Sequence, residues 1–240
     1  MFKKLGFAIL FLLAVCAGTP AQTVAHVSLP SFNNTASTVF TVTSSTGNLN
    51  VVAANTNIGD VISSVTNNQG DVYVSVGCTA SGGSGGEMWY AKNAHAGITT
   101  ITVNRSTGTG NFGIADYDVA GASTTAPLDQ HTCISSQTST TNPIGPTIVT
   151  AATTNVALSV LCSSGSASAV AGPFTLDPVS SAGGSAAHAA NVTPGTYSPS
   201  WSTGAFGWGG ITASFIAAAP VTRNGGMIGK AGLIGKAKQF

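Results

Sequence analysis

The chain has 240 residues, enough for one large all-β domain or two small ones with a substantial buried core. Only 6% of the residues are charged and the net charge is +1, against a usual charged share of about a quarter. Between residues 24 and 220, Lys92 and Arg105 face six aspartates and Glu87, a balance of −5, which excludes the clustered cations that bind phosphate backbones, so no nucleic-acid partner is expected.

Residues 1–21 read as an export signal that enters as a helix. Lys3 and Lys4 make a basic start, and Leu5 to Val15 is an apolar run too short to span a bilayer. Thr19-Pro20-Ala21 supplies small residues for cleavage, giving a mature chain without a transmembrane span that is secreted or held at the cell surface. A rival reading takes Leu13-Ala14-Val15-Cys16 as a lipoprotein box with Cys16 acylated, although Val15 is bulky for its place. Cleavage after Ala21 leaves Cys78, Cys133 and Cys162, and export permits disulfides. Cys78 and Cys162 each end a strand-like run. They pair if those strands are neighbours, and otherwise both act as small buried hydrophobes.

Beyond the signal, short runs alternate apolar residues with Ser, Thr and Asn, the period-two signature of β-strands. They are Thr23–Leu29, Thr38–Thr43, Leu49–Ala53, Val61–Val65, Val72–Val76, Met88–Lys92, Ile98–Val103 and Phe112–Val119. Thr147–Thr150, Val156–Leu161, Phe174–Leu176, Ser185–Val192 and Ile211–Ile216 follow. Turn residues separate them, for example Asn67-Asn68-Gln69-Gly70 and Asn93-Ala94-His95-Ala96-Gly97. The pattern predicts an all-β fold, a single antiparallel β-sandwich of jelly-roll or Ig-like type over residues 25–218. Residues 219–240 form a basic, glycine-rich tail. It is read as a disordered terminus, or as a contact for anionic lipid or an acidic partner. One internal echo is visible. Thr43–Val51 and Thr150–Leu158 both read as a polar turn ending in Asn and then an alternating strand. Two sheets using one entry turn, or a duplicated domain, would produce it, although the rest of the halves do not match.

Ser64-Val65-Thr66-Asn67-Asn68-Gln69-Gly70-Asp71-Val72-Tyr73, Trp89-Tyr90-Ala91-Lys92-Asn93, Asp116-Tyr117-Asp118 and Pro127-Leu128-Asp129 form a series. It resembles a group of uncharacterised secreted bacterial β-sandwich proteins with the pattern SVTDxxGNxY, WYAKN, EYSG and PLD. The likeness spans roughly residues 25–217. It departs at Asn67 and Asp71, where acid and amide are exchanged, and at Asp116 in place of Glu. The resemblance implies export and a sandwich, and no activity.

Two catalytic motifs match only as strings. Gly82-Gly83-Ser84-Gly85-Gly86 fits G-x-S-x-G, but a strand follows where a nucleophile elbow needs a helix, so a flexible loop is expected. Gly108-Thr109-Gly110-Asn111-Phe112-Gly113 fits the dinucleotide fingerprint, yet a strand again follows, so a hairpin turn is expected. His26, His95, His131 and His188 are scattered, with His95 in a solvated turn.

Asp116 and Asp118 alternate on a strand and share a face about 7 Å apart, a spacing that suits an acid and base pair for glycoside cleavage or a Ca²⁺ site, and equally exposed strand polars or turn hydrogen-bond acceptors. No other cofactor is expected, and the chain is read as a non-enzyme. Trp201, Trp208, Trp89 and Tyr90 are the candidate ligand-binding residues, because aromatic faces stack on sugars. Trp208 among glycines is placed on an exposed loop, and of Trp89 and Tyr90 one ring faces the core and the other faces out. The expected function is an exported binding or adhesion module for a glycan or a surface protein. The alternatives are a structural subunit of an extracellular layer or fibre self-associating through strand edges, and a glycan-active hydrolase.

Overall fold

The computed structural model describes residues 21–28, 32–43, 45, 47–151, 154–177 and 183–219. The signal segment, Cys16 and the basic tail lie outside the described residues. Among the described residues there is no helix, and every pairing is antiparallel. The first half of the chain contains β1 (Thr23–Ser28), β2 (Phe32–Asn33), β3 (Ser37–Thr41), β4 (Asn48–Thr56), β5 (Ile62–Asn67), β6 (Tyr73–Ser81), β7 (Gly85–Ala94), β8 (Thr100–Arg105) and β9 (Asn111–Ala120). The second half contains β10 (Leu128–Thr140), β11 (Ile148–Thr150), β12 (Asn155–Ser163), β13 (Ala169–Ala171), β14 (Thr175–Asp177), β15 (Ser185–Val192), β16 (Gly195–Tyr197), β17 (Ser200–Ser202) and β18 (Phe206–Ile216).

The strands form two large sheets, each with a smaller cover. The first large sheet runs β1-β9-β4-β7-β6, with β2 also paired to β9, and the second runs β10-β18-β12-β15-β14. The second order repeats the first when β10, β18, β12, β15 and β14 are set against β1, β9, β4, β7 and β6. The covers match too: β3-β8-β5 belongs to the first half, and the ribbons β11-β16 and β13-β17 to the second. The sequence echo falls on β4 and β12, the central strand of each large sheet.

Three apolar layers hold the stack together. Leu49, Val51 and Tyr117 of the first sheet meet Val156, Leu158 and Phe215 of the second. On its other face the first sheet packs Val52, Phe112 and Ile114 against Phe40, Val65 and Ile101 of its cover. The second sheet packs Ala157, Leu161 and Ala187 together with Ile148 and Trp201 of its ribbons. The central strands are therefore buried on both faces, and the Ser and Thr residues that alternate along them are enclosed as well. Their hydroxyls do not line a wet surface. Ser159 and Thr212 are fully buried, their oxygens are 3.0 Å apart, and Ser159 Oγ donates to the Ile211 carbonyl at 3.0 Å. A buried hydroxyl without such a partner would cost about 1–3 kcal/mol.

Departures from expectation have local causes. β10 was not anticipated. Only Leu128, Cys133 and Ile134 in it are aliphatic or thiol-bearing, and its sides are largely exposed, so no alternation marks it. The glycines at 82–86 are not a loose loop but the tight β6–β7 hairpin, with Gly85 and Gly86 already in β7. A Cβ on Gly86 would sit 2.1 Å from Cys162 Sγ, so only glycine admits β12 this close. Gly70, at φ 76, closes the β5–β6 turn in the left-handed region that glycine occupies without penalty.

The disulfide joins Cys78 to Cys133, not to Cys162, which is a free, buried thiol. Cys78 lies on β6, an edge of the first sheet, and Cys133 on β10, an edge of the second, and these two edges lie side by side. Cys162 lies on β12 in the middle of its sheet, within the layer shared by both halves. Burial pushes its thiol up to about 12.

Candidate functional site

The aromatic residues singled out from the sequence do not form a surface. Trp201 and Trp208 are 1% and 7% exposed and belong to the apolar layer beneath the second sheet's ribbons. The glycines around Trp208 do not free it. A Cβ on Gly82 would lie 2.1 Å from the Trp208 carbonyl carbon, so those glycines let the β6–β7 hairpin pack onto it. Trp89 and Tyr90 point to opposite faces of β7, as alternation requires, and each is half-buried against an apolar layer. Trp89 packs toward the cover sheet and donates its Nε1–H to Glu87 Oε2 at 2.9 Å. Tyr90 meets Phe215 edge to face, with ring centroids 5.6 Å apart.

Asp116 and Asp118 share a face of β9 as expected, but that face is turned inward, toward the cover sheet, and both are buried. No group of three or more His, Cys, Asp or Glu side chains suited to a metal occurs among the described residues. Asp116 instead starts a chain of polar side chains. Asn50 Nδ2 donates to Asp116 Oδ1 at 2.9 Å, and Tyr73 donates to Asn50 Oδ1 at 2.5 Å. Asn67 Nδ2 reaches both Tyr73 Oη at 3.2 Å and Asp71 Oδ2 at 2.8 Å. Asp71 Oδ1 lies 2.6 Å from His95 Nδ1 at the surface. Burial raises the Asp116 carboxyl to about 7; the Asn50 hydrogen bond opposes the rise and the charge of Asp118 adds to it.

Two other carboxylates are committed to structure. Asp60 is buried against Arg105 Nη1 at 2.7 Å and takes Ser106 Oγ at 3.1 Å and the Thr107 N–H at 3.0 Å. Burial raises its carboxyl, but these bonds and the Arg105 charge outweigh burial and hold it below the usual value. Glu87 accepts the Ile62 N–H at 2.9 Å besides the Trp89 indole. Its carboxyl is raised by burial, which those bonds only partly offset.

A cleft of about 370 Å³ lies at the end of the stack where β4 and β12 finish side by side. Thr56 and Asn57 come from the end of β4, Ser84 from the β6–β7 hairpin, Asn111 from the start of β9, and Ser163 and Ser164 from the end of β12. Thr56 and Ser163 close their strands at equivalent places in the two halves. Three buried hydroxyls donate to main-chain carbonyls: Thr56 Oγ1 to Asp60 at 2.9 Å, Ser84 Oγ to Ser163 at 3.3 Å, and Ser163 Oγ to Gly165. These hydroxyls are bound to the main chain and buried, so they fix the wall of the cleft, and Ser164 adds an exposed hydroxyl. Asn57 and Asn111 are exposed and add carboxamides that both donate and accept. Among the described residues no ionisable side chain lines the cleft. Sequence reading missed it because its six polar residues come from four separate strand ends, each an ordinary turn when seen alone.

No family model, curated protein or solved structure matches the chain.

Proposed function

We propose that the protein is an exported, non-enzymatic binding module whose cleft takes a neutral glycan. One observation carries the reading: a cleft of about 370 Å³ is lined, among the described residues, by hydroxyls and carboxamides and by no formal charge. Its volume falls within the usual range for ligand sites of about 300–1,000 Å³. The exposed carboxamides of Asn57 and Asn111 and the Ser164 hydroxyl both donate and accept, which complements the alternating donor and acceptor roles of sugar hydroxyls. The absence of charge gives no advantage to phosphorylated or sulfated ligands, and no lining group can serve as a general acid or base. In this reading each half is a jelly roll, and the two are stacked through their larger sheets. Strand-edge assembly into a fibre draws less support, because β6 and β10 lie against each other and β14 is only three residues long.

The test is retention on an array of neutral and anionic glycans, with the Asn57→Ala, Asn111→Ala and Ser164→Trp variants. Retention on neutral glycans that Ser164→Trp abolishes supports the proposal. No retention on neutral glycans, or retention that a filled cleft leaves unchanged, refutes it.

A further inference from the structure

A second opening of about 270 Å³ lies where β6 begins and β7 ends, lined by Asp71, Val72, Val74, Lys92, Asn93 and His95. We propose that this groove binds a small amphiphilic carboxylate, with its carboxylate at Lys92 and His95 and its alkyl part along Val72 and Val74.

Charge is the first argument. Among the described residues the only lysine and arginine are Lys92 and Arg105. The Arg105 side chain is fully buried against Asp60, so Lys92 is the one exposed cation of these two. It makes no ion pair among the described residues, on a body that is otherwise acidic. Among the described residues, an anion reaching this surface has one exposed cation to meet, Lys92.

His95 is held, not free in its turn. Its side chain is 68% exposed, while that of its partner Asp71 is 4% exposed. Asp71 receives the His95 main-chain N–H at 3.2 Å and Asn67 Nδ2 at 2.8 Å, and its Oδ1 contacts the imidazole Nδ1. Both carboxylate oxygens are thus spent inward. With Nδ1 committed, the ring offers Nε2 to the groove, and in the doubly protonated form this is a second donor for a carboxylate. Asn67 connects in turn through Tyr73 and Asn50 to buried Asp116, so the polar end of the groove is fixed before any ligand arrives. Such preorganisation lowers the entropic cost of binding.

The floor of the groove is apolar. Val72 and Val74 are 77% and 42% exposed, and as residues i and i+2 of an extended segment they share a face. Two neighbouring bare isopropyl groups beside a single cation match a ligand with one charge and a hydrocarbon part. They do not match a polyphosphate, which needs clustered cations.

The experiment is an NMR titration of the ¹⁵N-labelled mature protein with octanoate, following the amides of residues 70–74 and 92–97. Acetate and 1-octanol serve as single-feature controls, and Lys92→Gln and Val74→Ser as variants at exposed positions. The expected result is a saturable octanoate response confined to those amides. Affinity should fall at least tenfold for each control ligand and for Lys92→Gln, with a smaller loss for Val74→Ser. An unsaturable response, an unchanged affinity in Lys92→Gln, or acetate binding as tightly as octanoate overturns the proposal. The glycan cleft reports through residues 56–57, 84, 111 and 163–164, so failure of either reading is visible without the other.

Discussion

Asp116 ties stability to pH. In the unfolded chain its carboxyl ionises near 3.8, while in the folded protein burial between the first sheet and its cover raises it to about 7. Between those values the folded state binds a proton that the unfolded state has released, so raising the pH favours unfolding. The contribution is fully present below about pH 4 and is lost as the pH rises through about 7. At about 1.4 kcal/mol per pH unit, that gap corresponds to roughly 4 kcal/mol, a large part of the total stability of about 5–15 kcal/mol expected of a domain. Asp116→Asn keeps an oxygen for Asn50 Nδ2 and removes the titration. Urea unfolding from pH 4.5 to 8.5 should show wild-type stability falling by about 3 kcal/mol, the remainder of the loss lying below pH 4.5. The Asp116→Asn variant should run nearly flat and overtake the wild type at the alkaline end. A wild-type curve without this decline, or a variant that declines in parallel with it, refutes the assignment.

Three further outcomes follow from the packing. Gly86→Ala places a Cβ 2.1 Å from Cys162 Sγ and should cost about 1–3 kcal/mol as overpacking; Cys162→Ala in the same chain should recover part of that loss, read as coupling in a double-mutant cycle. The Cys162 thiol, raised to about 12 by burial, should resist a thiol reagent at pH 8 in the native protein and react in denaturant. Replacing Cys78 and Cys133 by serine opens a loop with a sequence separation of 55, and thermal or urea unfolding should show a loss of about 4 kcal/mol by the chain-entropy relation.

Sequence periodicity carried much of the strand inventory, because turns with Asn and Gly bracket alternating runs. The bounds of β15 match the predicted Ser185–Val192. Periodicity has no term for what covers a strand's second face, which is why Trp208 was placed on an exposed loop and Trp201 among the ligand-binding candidates. The covers are built partly from β13, β16 and β17, three residues each, too short to show a period. The cysteine pairing depends on which edges adjoin, and β10 left no apolar trace to reveal that. His95 was read correctly as a solvated turn residue, but its tie to Asp71 bridges two turns 24 positions apart, a distance that local patterns do not span.

The shared interior between the two large sheets makes each half depend on the other. Neither half owns it: Leu49, Val51 and Tyr117 are dry only because Val156, Leu158 and Phe215 lie opposite them. A half cut free of its neighbour would turn that oily plane to water, and the Cys78–Cys133 bond clamps one border of the plane shut.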